Sequence, residues 1–207
     1  ISKKTIDYAK SYLQELGKYD KKINKNNLWI FKKCLRKLEI PIEDVIESMQ
    51  KGGMVVIVRH AYAPGVGDPD GPDGVIHEDC STQRNLKSEG KRQAAEMGKF
   101  LISNNIVIDK TLSSPMCRCW QTGTLAGLDV IKDKLFVNKK NFDGIKDVIK
   151  DWNGKGNLFI LTHYTVINNT FHGYKAQSGS MLVIDNTGNK ITRVGSVHFE
   201  YDLTNKE

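Results

Sequence analysis

The stretch Met54 to His60, MVVIVRH, constrains what this chain can fold into more than any other. Apolar, mostly β-branched residues run straight into an arginine and a histidine. Such a run reads as a strand buried on both faces, as in parallel sheets. Arg59 and His60 then stand at its C-terminal end, where open α/β sheets bind ligands. Two more segments share this shape. Thr111 to Arg118, TLSSPMCR, ends in an arginine, and Asn157 to His163, NLFILTH, ends in a histidine. Three runs thus deliver cationic or imidazole side chains to what reads as one edge of one sheet.

The rest of the chain alternates helical and extended patterns. Leu86–Ser103 gives a helix face through Ala94, Ala95, Met97, Leu101 and Ile102, and Ile106–Leu112 a second strand. Ser114 is a natural N-cap with Pro115 at the first helical position, so a helix is expected there with Arg118 in its first turn. Residues 128–137 hold a short strand, Phe142–Trp152 a helix, Leu158–Leu161 a strand, and Thr162–Phe171 begins a helix. Met181–Ile184 and Ile191–Val197 read as late strands joined by a turn. This alternation predicts a three-layer α/β/α sandwich with a mostly parallel central sheet.

Residues 1–51 differ in composition: rich in Lys, Asn and Ile, with Gly17 as their one glycine. Apolar residues recur at helical spacing (Ile6, Ala9, Leu13, Leu16, then Leu28, Phe31, Leu35, Leu38), and Pro41 opens a third helix that Gly52-Gly53 stops. These residues read as an N-terminal helical extension packing on the main domain, residues 52–207, or on a protein partner. The first residue is Ile rather than Met, which reads as a processed chain already without any signal peptide.

The net charge of +7 reads first as a solvated lysine-rich surface, with an anionic substrate or an anionic membrane surface as the sharper alternatives. The lysines form no compact basic tract and accompany no nucleic-acid motif, so nucleic acid is not expected as a partner. No apolar run approaches the ~20 residues of a membrane helix, so no integral membrane segment is expected. Of the cysteines Cys34, Cys80, Cys117 and Cys119, none has zinc-site spacing. They read as buried thiols or, in an oxidising compartment, as a disulfide from Cys80 to Cys117 or Cys119.

Between the first strand and the Leu86 helix lies Ala61–Thr82, rich in Pro, Gly and Asp, and too long for a plain connector. Its place beyond Arg59-His60 makes it an active-site rim. Two arginines and two histidines gathered at strand ends are costly without an anion to neutralise them. A phosphoryl group is the natural match, because arginine offers planar donor forks to its oxygens.

The segments VVIVRHA, TLSSPMCRCWQT and ILTHYTVI resemble the signature blocks of the histidine phosphatase (phosphoglycerate-mutase-like) superfamily, in its order and spacing over residues 52–197. TQRNLKSEGKRQAAEMGKFL resembles the family's intervening helix start, with Lys87 where Thr is usual. The resemblance is greatest to small bacterial members carrying RHAxAPGxGDP and DCxTQRNL, many of them exported. It implies that His60 is the nucleophile, forming a phosphohistidine, and that Arg59, Arg118 and His163 hold the phosphoryl oxygens. It implies no metal and no cofactor, and a small phosphorylated substrate.

For the general acid, Asp79 is favoured, with Glu78 second; His77, Asp68, Asp70 and Asp73 share the loop. Arg84 contacts substrate phosphate or ties the loop down. Tyr164-Thr165 replaces the family's Gly-Gly, placing Tyr164 to narrow the pocket or touch the leaving group. Ala61 and Cys119 are small departures. The short region 128–150 leaves little material for a cap, which argues against a mutase. The expected activity is metal-independent phosphomonoester hydrolysis. The alternatives are a weakly active phosphate-binding scaffold using the N-terminal helices, or a protein phosphohistidine phosphatase. With one disulfide near the site, the non-Met start and exported relatives, a periplasmic or secreted location is expected, with a cytoplasmic one as the alternative.

Overall fold

The computed structural model describes residues 41–69, 76–77, 79–137, 141–171, 174–187 and 190–200. The chain divides into two compact units, Ile1–Pro41 and Ile42–Glu207. The helices expected over residues 1–40 lie outside the described residues, and every described element belongs to the second unit.

In chain order these elements are α1 (Ile42–Lys51), β1 (Val55–Arg59), α2 (Ser88–Ser103), β2 (Ile108–Ser113), α3 (Cys117–Leu125), β3 (Val130–Lys132), α4 (Phe142–Lys150), β4 (Asn157–Thr162), α5 (Tyr164–Thr170), β5 (Met181–Asp185) and β6 (Thr192–Val197), with short 3₁₀ turns besides. The strands form one mixed sheet in the order β3-β2-β4-β1-β5-β6. β3, β2, β4 and β1 run parallel, and β5 pairs antiparallel with both β1 and β6. The two innermost parallel strands are those with the most continuous apolar runs. β4 is buried along its whole length, and β1 along all but Arg59. Burial on both faces is why neither shows polar alternation.

One face of the sheet presents Val55, Ile57, Leu158, Ile160, Leu182 and Ile184 to Ile145 and Ile149 of α4 and to Val166 and Ile167 of α5. On the other face Leu161 meets α3 at Gly123, where any side chain would strike it and Val130. α3 in turn packs on α2. Helix α1, which the sequence grouped with the extension, packs beside β6 and buries Val45 and Met49 completely. It ends at Gly52, whose φ of 75° is left-handed and whose Cα faces the Lys155 carbonyl too closely for a Cβ. The buried Asn157 fastens this end of the sheet. Its Nδ2 donates to Met49 O (2.8 Å) and Val107 O (2.7 Å), and its Oδ1 accepts from Met54 N (3.2 Å).

The register decides what meets at the opposite edge. Arg59 pairs with Thr162, and Ser113 with Leu161. The residues just beyond these strands, His60, Ser114 and His163, are therefore brought side by side. Among the described residues no helix is long and apolar enough to cross a membrane.

Candidate active site

His60 leaves β1 with its backbone N–H donating to Thr162 O (3.0 Å), which prolongs the β1–β4 ladder by one residue. The residue is 3% exposed, and Nδ1 lies 2.7 Å from Ala61 O. A carbonyl only accepts, so Nδ1 carries the proton and Nε2 keeps its lone pair. Burial pushes the His60 pKa down to about 3; Arg118, Arg59 and Arg84 add to the lowering, against the opposing bond to Ala61. The imidazole is neutral at any ordinary pH.

The backbone around it is held by side chains from α2 and α3. Thr122 Oγ1, on a fully buried residue, accepts from Ala61 N (2.9 Å) and donates to Arg118 O (2.7 Å). Gln93 of α2 accepts from Tyr62 N (2.9 Å) and donates to Ser178 O (2.8 Å). Gly179 N donates to the carbonyls of Arg59 and His60 (3.1 Å each). Thus both sides of the β1 terminus are fixed by hydrogen bonds.

His163 follows β4 as the N-cap residue of α5. Its ring centroid is 5.6 Å from that of His60, at 64°. Nε2 lies 2.9 Å from Ser114 Oγ and 3.4 Å from Cys119 Sγ. Burial pushes the Cys119 thiol up to about 12, so it is an inert neighbour rather than a nucleophile. Ser114 also explains why α3 starts later than its sequence predicts. Its hydroxyl faces His163 and accepts from Met116 N (3.3 Å), making a turn at the strand end. The helix then begins at Cys117, with Met116 as N-cap, rather than at Pro115. Arg118 still falls in the first turn, as expected.

Arg59 donates from Nη1 to Ala176 O (2.8 Å), and its guanidinium carbon stands 5.4 Å from the centre of the Tyr164 ring. Tyr164, 37% exposed, forms the outer side of this stack. Arg118 is 7% exposed and ion-pairs through Nη1 with Asp68 Oδ1 at 2.7 Å. Arg84 is half-buried. Its Nε donates to Gly67 O (3.0 Å) and its Nη1 to Ala63 O, while its backbone N donates to Asp68 Oδ1 (2.9 Å). Burial, then Arg118, lowers its pKa, yet a guanidinium stays charged. Arg84 therefore ties the loop down and joins the field acting on His60.

The structure thus brings Arg59, His60, Arg118, His163, Arg84 and Tyr164 to one sheet edge. Asp79 is exposed and occupied locally. Its carboxylate accepts from Ser81 Oγ (2.7 Å) and Ser81 N (2.8 Å), capping a short 3₁₀ turn over Cys80–Thr82, and these bonds lower its pKa. Glu78, like Asp70 and Asp73, lies outside the described residues. Cys80 is bonded to Cys117, which pins the rim loop to the start of α3. The buried Gln83 reinforces the clip, accepting from Cys117 N (2.7 Å) and donating to Ile76 O (2.8 Å). Sequence patterns do not single out Thr122, Gln93, Gln83 or the Asp68–Arg118 pair. Each is a polar residue on a helix or loop, and only its burial beside the site distinguishes it.

No family model and no curated protein matches the chain. Solved structures do. The protein histidine phosphatase SixA complexed with tungstate superposes with a TM-score of 0.54 at 15% identity, over 69% of this chain and 95% of that one. A phosphoserine phosphatase mutant from Entamoeba histolytica, in complex with phosphoserine, gives 0.52 at 13% identity, over 69% and 95%. Identities this low carry the architecture alone. The chain has the histidine phosphatase fold.

Proposed function

We propose that this protein hydrolyses phosphomonoesters through a phosphohistidine on His60. The observation that carries the reading is the state of that ring: buried, neutral, its Nδ1 proton given to Ala61 O, and its Nε2 lone pair left in the field of three arginines. Nε2 attacks phosphorus and the bond to the ester oxygen breaks. Arg59, Arg118 and His163 hold the remaining oxygens, so charge building on them is met by fixed donors. Water then attacks phosphorus, the P–N bond breaks, and the lone pair returns to Nε2. In this scheme the cationic side chains supply the charge that a metal would otherwise bring.

The leaving oxygen needs a proton and the attacking water must lose one. The rim loop is the source of both in this reading, with Asp79 and Glu78 as its carboxylates. Asp79, kept charged by Ser81, fits the acceptor of the second step better than the donor of the first. The test is hydrolysis of an aryl phosphate in excess chelator. The wild type is expected to turn over and His60→Ala to lose ~10³-fold or more. Turnover that survives His60→Ala would sink the proposal.

A protein phosphohistidine phosphatase is the second reading. It is favoured by the plain connection between β2 and β4: among the described residues it holds α3, β3, a 3₁₀ turn and α4, with no added cap. A phosphohistidine peptide hydrolysed faster than a phosphoserine peptide would select it. We place the protein in an oxidising compartment such as the periplasm, because the Cys80–Cys117 disulfide suits one.

A further inference from the structure

We propose that Asp68 is a positioning residue that turns Arg118 so that the Nε edge of its guanidinium receives the phosphoryl group. The proposal rests on the phosphatase reading and adds a residue and an orientation to it. Asp68 Oδ1 accepts from Arg118 Nη1 (2.7 Å) and from Arg84 N (2.9 Å). The side chains of Arg118 and Asp68 are only 8% and 14% exposed. Arg84 returns the hold: its guanidinium donates to Gly67 O and Ala63 O, the carbonyls of the loop that carries Asp68. Residues 63–68 are thereby closed on Arg84, and Asp68 is presented to α3 by a loop with little freedom.

Arg118 Nε is buried and has no hydrogen-bond partner among the described residues. A buried guanidinium N–H without an acceptor is uncommon and calls for an explanation. The guanidinium donates through its end and through its Nε side. With Nη1 taken by Asp68, the side edge is what an oxyanion can engage, and bidentate Arg–phosphate contact uses such an edge. Asp68 therefore occupies one side of Arg118 and directs the other to the substrate. This role is distinct from the proton transfer assigned to Asp79 and Glu78.

The test measures binding of orthovanadate to the intact chain by titration calorimetry, with kcat and KM for an aryl phosphate beside it. Asp68→Ala is expected to weaken vanadate on the order of 10-fold and to raise KM more than it lowers kcat. Asp68→Asn, which keeps an acceptor oxygen in place, recovers part of the loss, and it carries the test should the alanine variant not fold. Because Asp68 acts through Arg118, Asp68→Asn adds little to Arg118→Ala, whereas a purely structural role gives additive losses. Tighter vanadate binding in Asp68→Asn would overturn the proposal, marking Asp68 as a competitor of the phosphoryl group. So would unchanged vanadate binding with a fall in kcat, the mark of a proton donor. Wild type that binds vanadate yet hydrolyses no ester removes the phosphatase reading, while the vanadate comparison still decides the role of Asp68.

Discussion

His60, the proposed nucleophile, also links stability to pH. Its pKa is about 3 in the folded chain against 6.5 when unperturbed. Between those values the unfolded chain binds a proton that the folded chain refuses. Stability is therefore whole above pH ~6.5 and falls as pH drops toward ~3, by up to ~1.4 kcal/mol per pH unit. His60→Gln removes that slope, so the wild-type denaturant midpoint should fall relative to that of His60→Gln as pH drops from 7 to 4; parallel curves would mean the ring is not held neutral. Thr122 supports the same residue from behind, since one hydroxyl joins Ala61, the anchor of His60, to the backbone of Arg118. Thr122→Val leaves the Ala61 N–H unsatisfied, at ~1–3 kcal/mol of stability, and should lower kcat, whereas Thr122→Ser should restore both. Thermal unfolding and steady-state rates read the two effects.

The elements differ in how openly their sequences announce them. β1 and β4 were legible because a strand buried on both faces needs a continuous apolar run, and MVVIV and LFIL are such runs. The start of α3 was not, because Ser114 has two possible partners. Propensity favours capping at Ser114, but its hydroxyl, while accepting from Met116 N, also engages His163, contributed by a strand remote in sequence. The rim loop was legible only as a loop. Its tether required choosing between Cys117 and Cys119, which differ by half a helical turn. Cys119 faces inward to His163, while Cys117 meets Cys80. This clip joins residues 37 apart in sequence and should stabilise the chain by ~2–4 kcal/mol. Replacing both Cys80 and Cys117 by Ser should lower the melting temperature accordingly. It should also raise KM and lower kcat together, because it frees the loop that carries both Arg84 and Asp79 and leaves His60 in place. An unchanged KM would show that the rim is held without the disulfide. Helix α2 closely approaches the loop that follows His60: Gly90 lies against the Tyr62 carbonyl, with no room for a methyl group. Gly90→Ala should cost ~1–3 kcal/mol, read from denaturant titration.

At the scale of the whole molecule, strand order does the assembling. The three strands that end in reactive or turn-forming residues, β2, β4 and β1, are consecutive neighbours in a parallel arrangement, so their C-terminal ends share one edge. That arrangement gathers His60, Arg118 and His163 from distant parts of the chain, and it is the architecture shared with SixA at 15% identity. The gathering could be foreseen because His60 and His163 directly follow their strands and Arg118 falls in the first turn of the helix after β2. The supporting shell could not, because Asp68, Gln83 and Gln93 reach the site through loop closure and helix packing, which leave no periodic mark on the sequence. Catalysis in this scheme turns on His60 as the covalent centre. Its most direct test is rapid quenching into base during turnover of an aryl phosphate, followed by mass spectrometry of the peptides. The expected result is a base-stable, acid-labile phosphoryl group on His60, absent in His60→Ala; sustained turnover with His60 unmodified, or with the phosphoryl group on another residue, would contradict it.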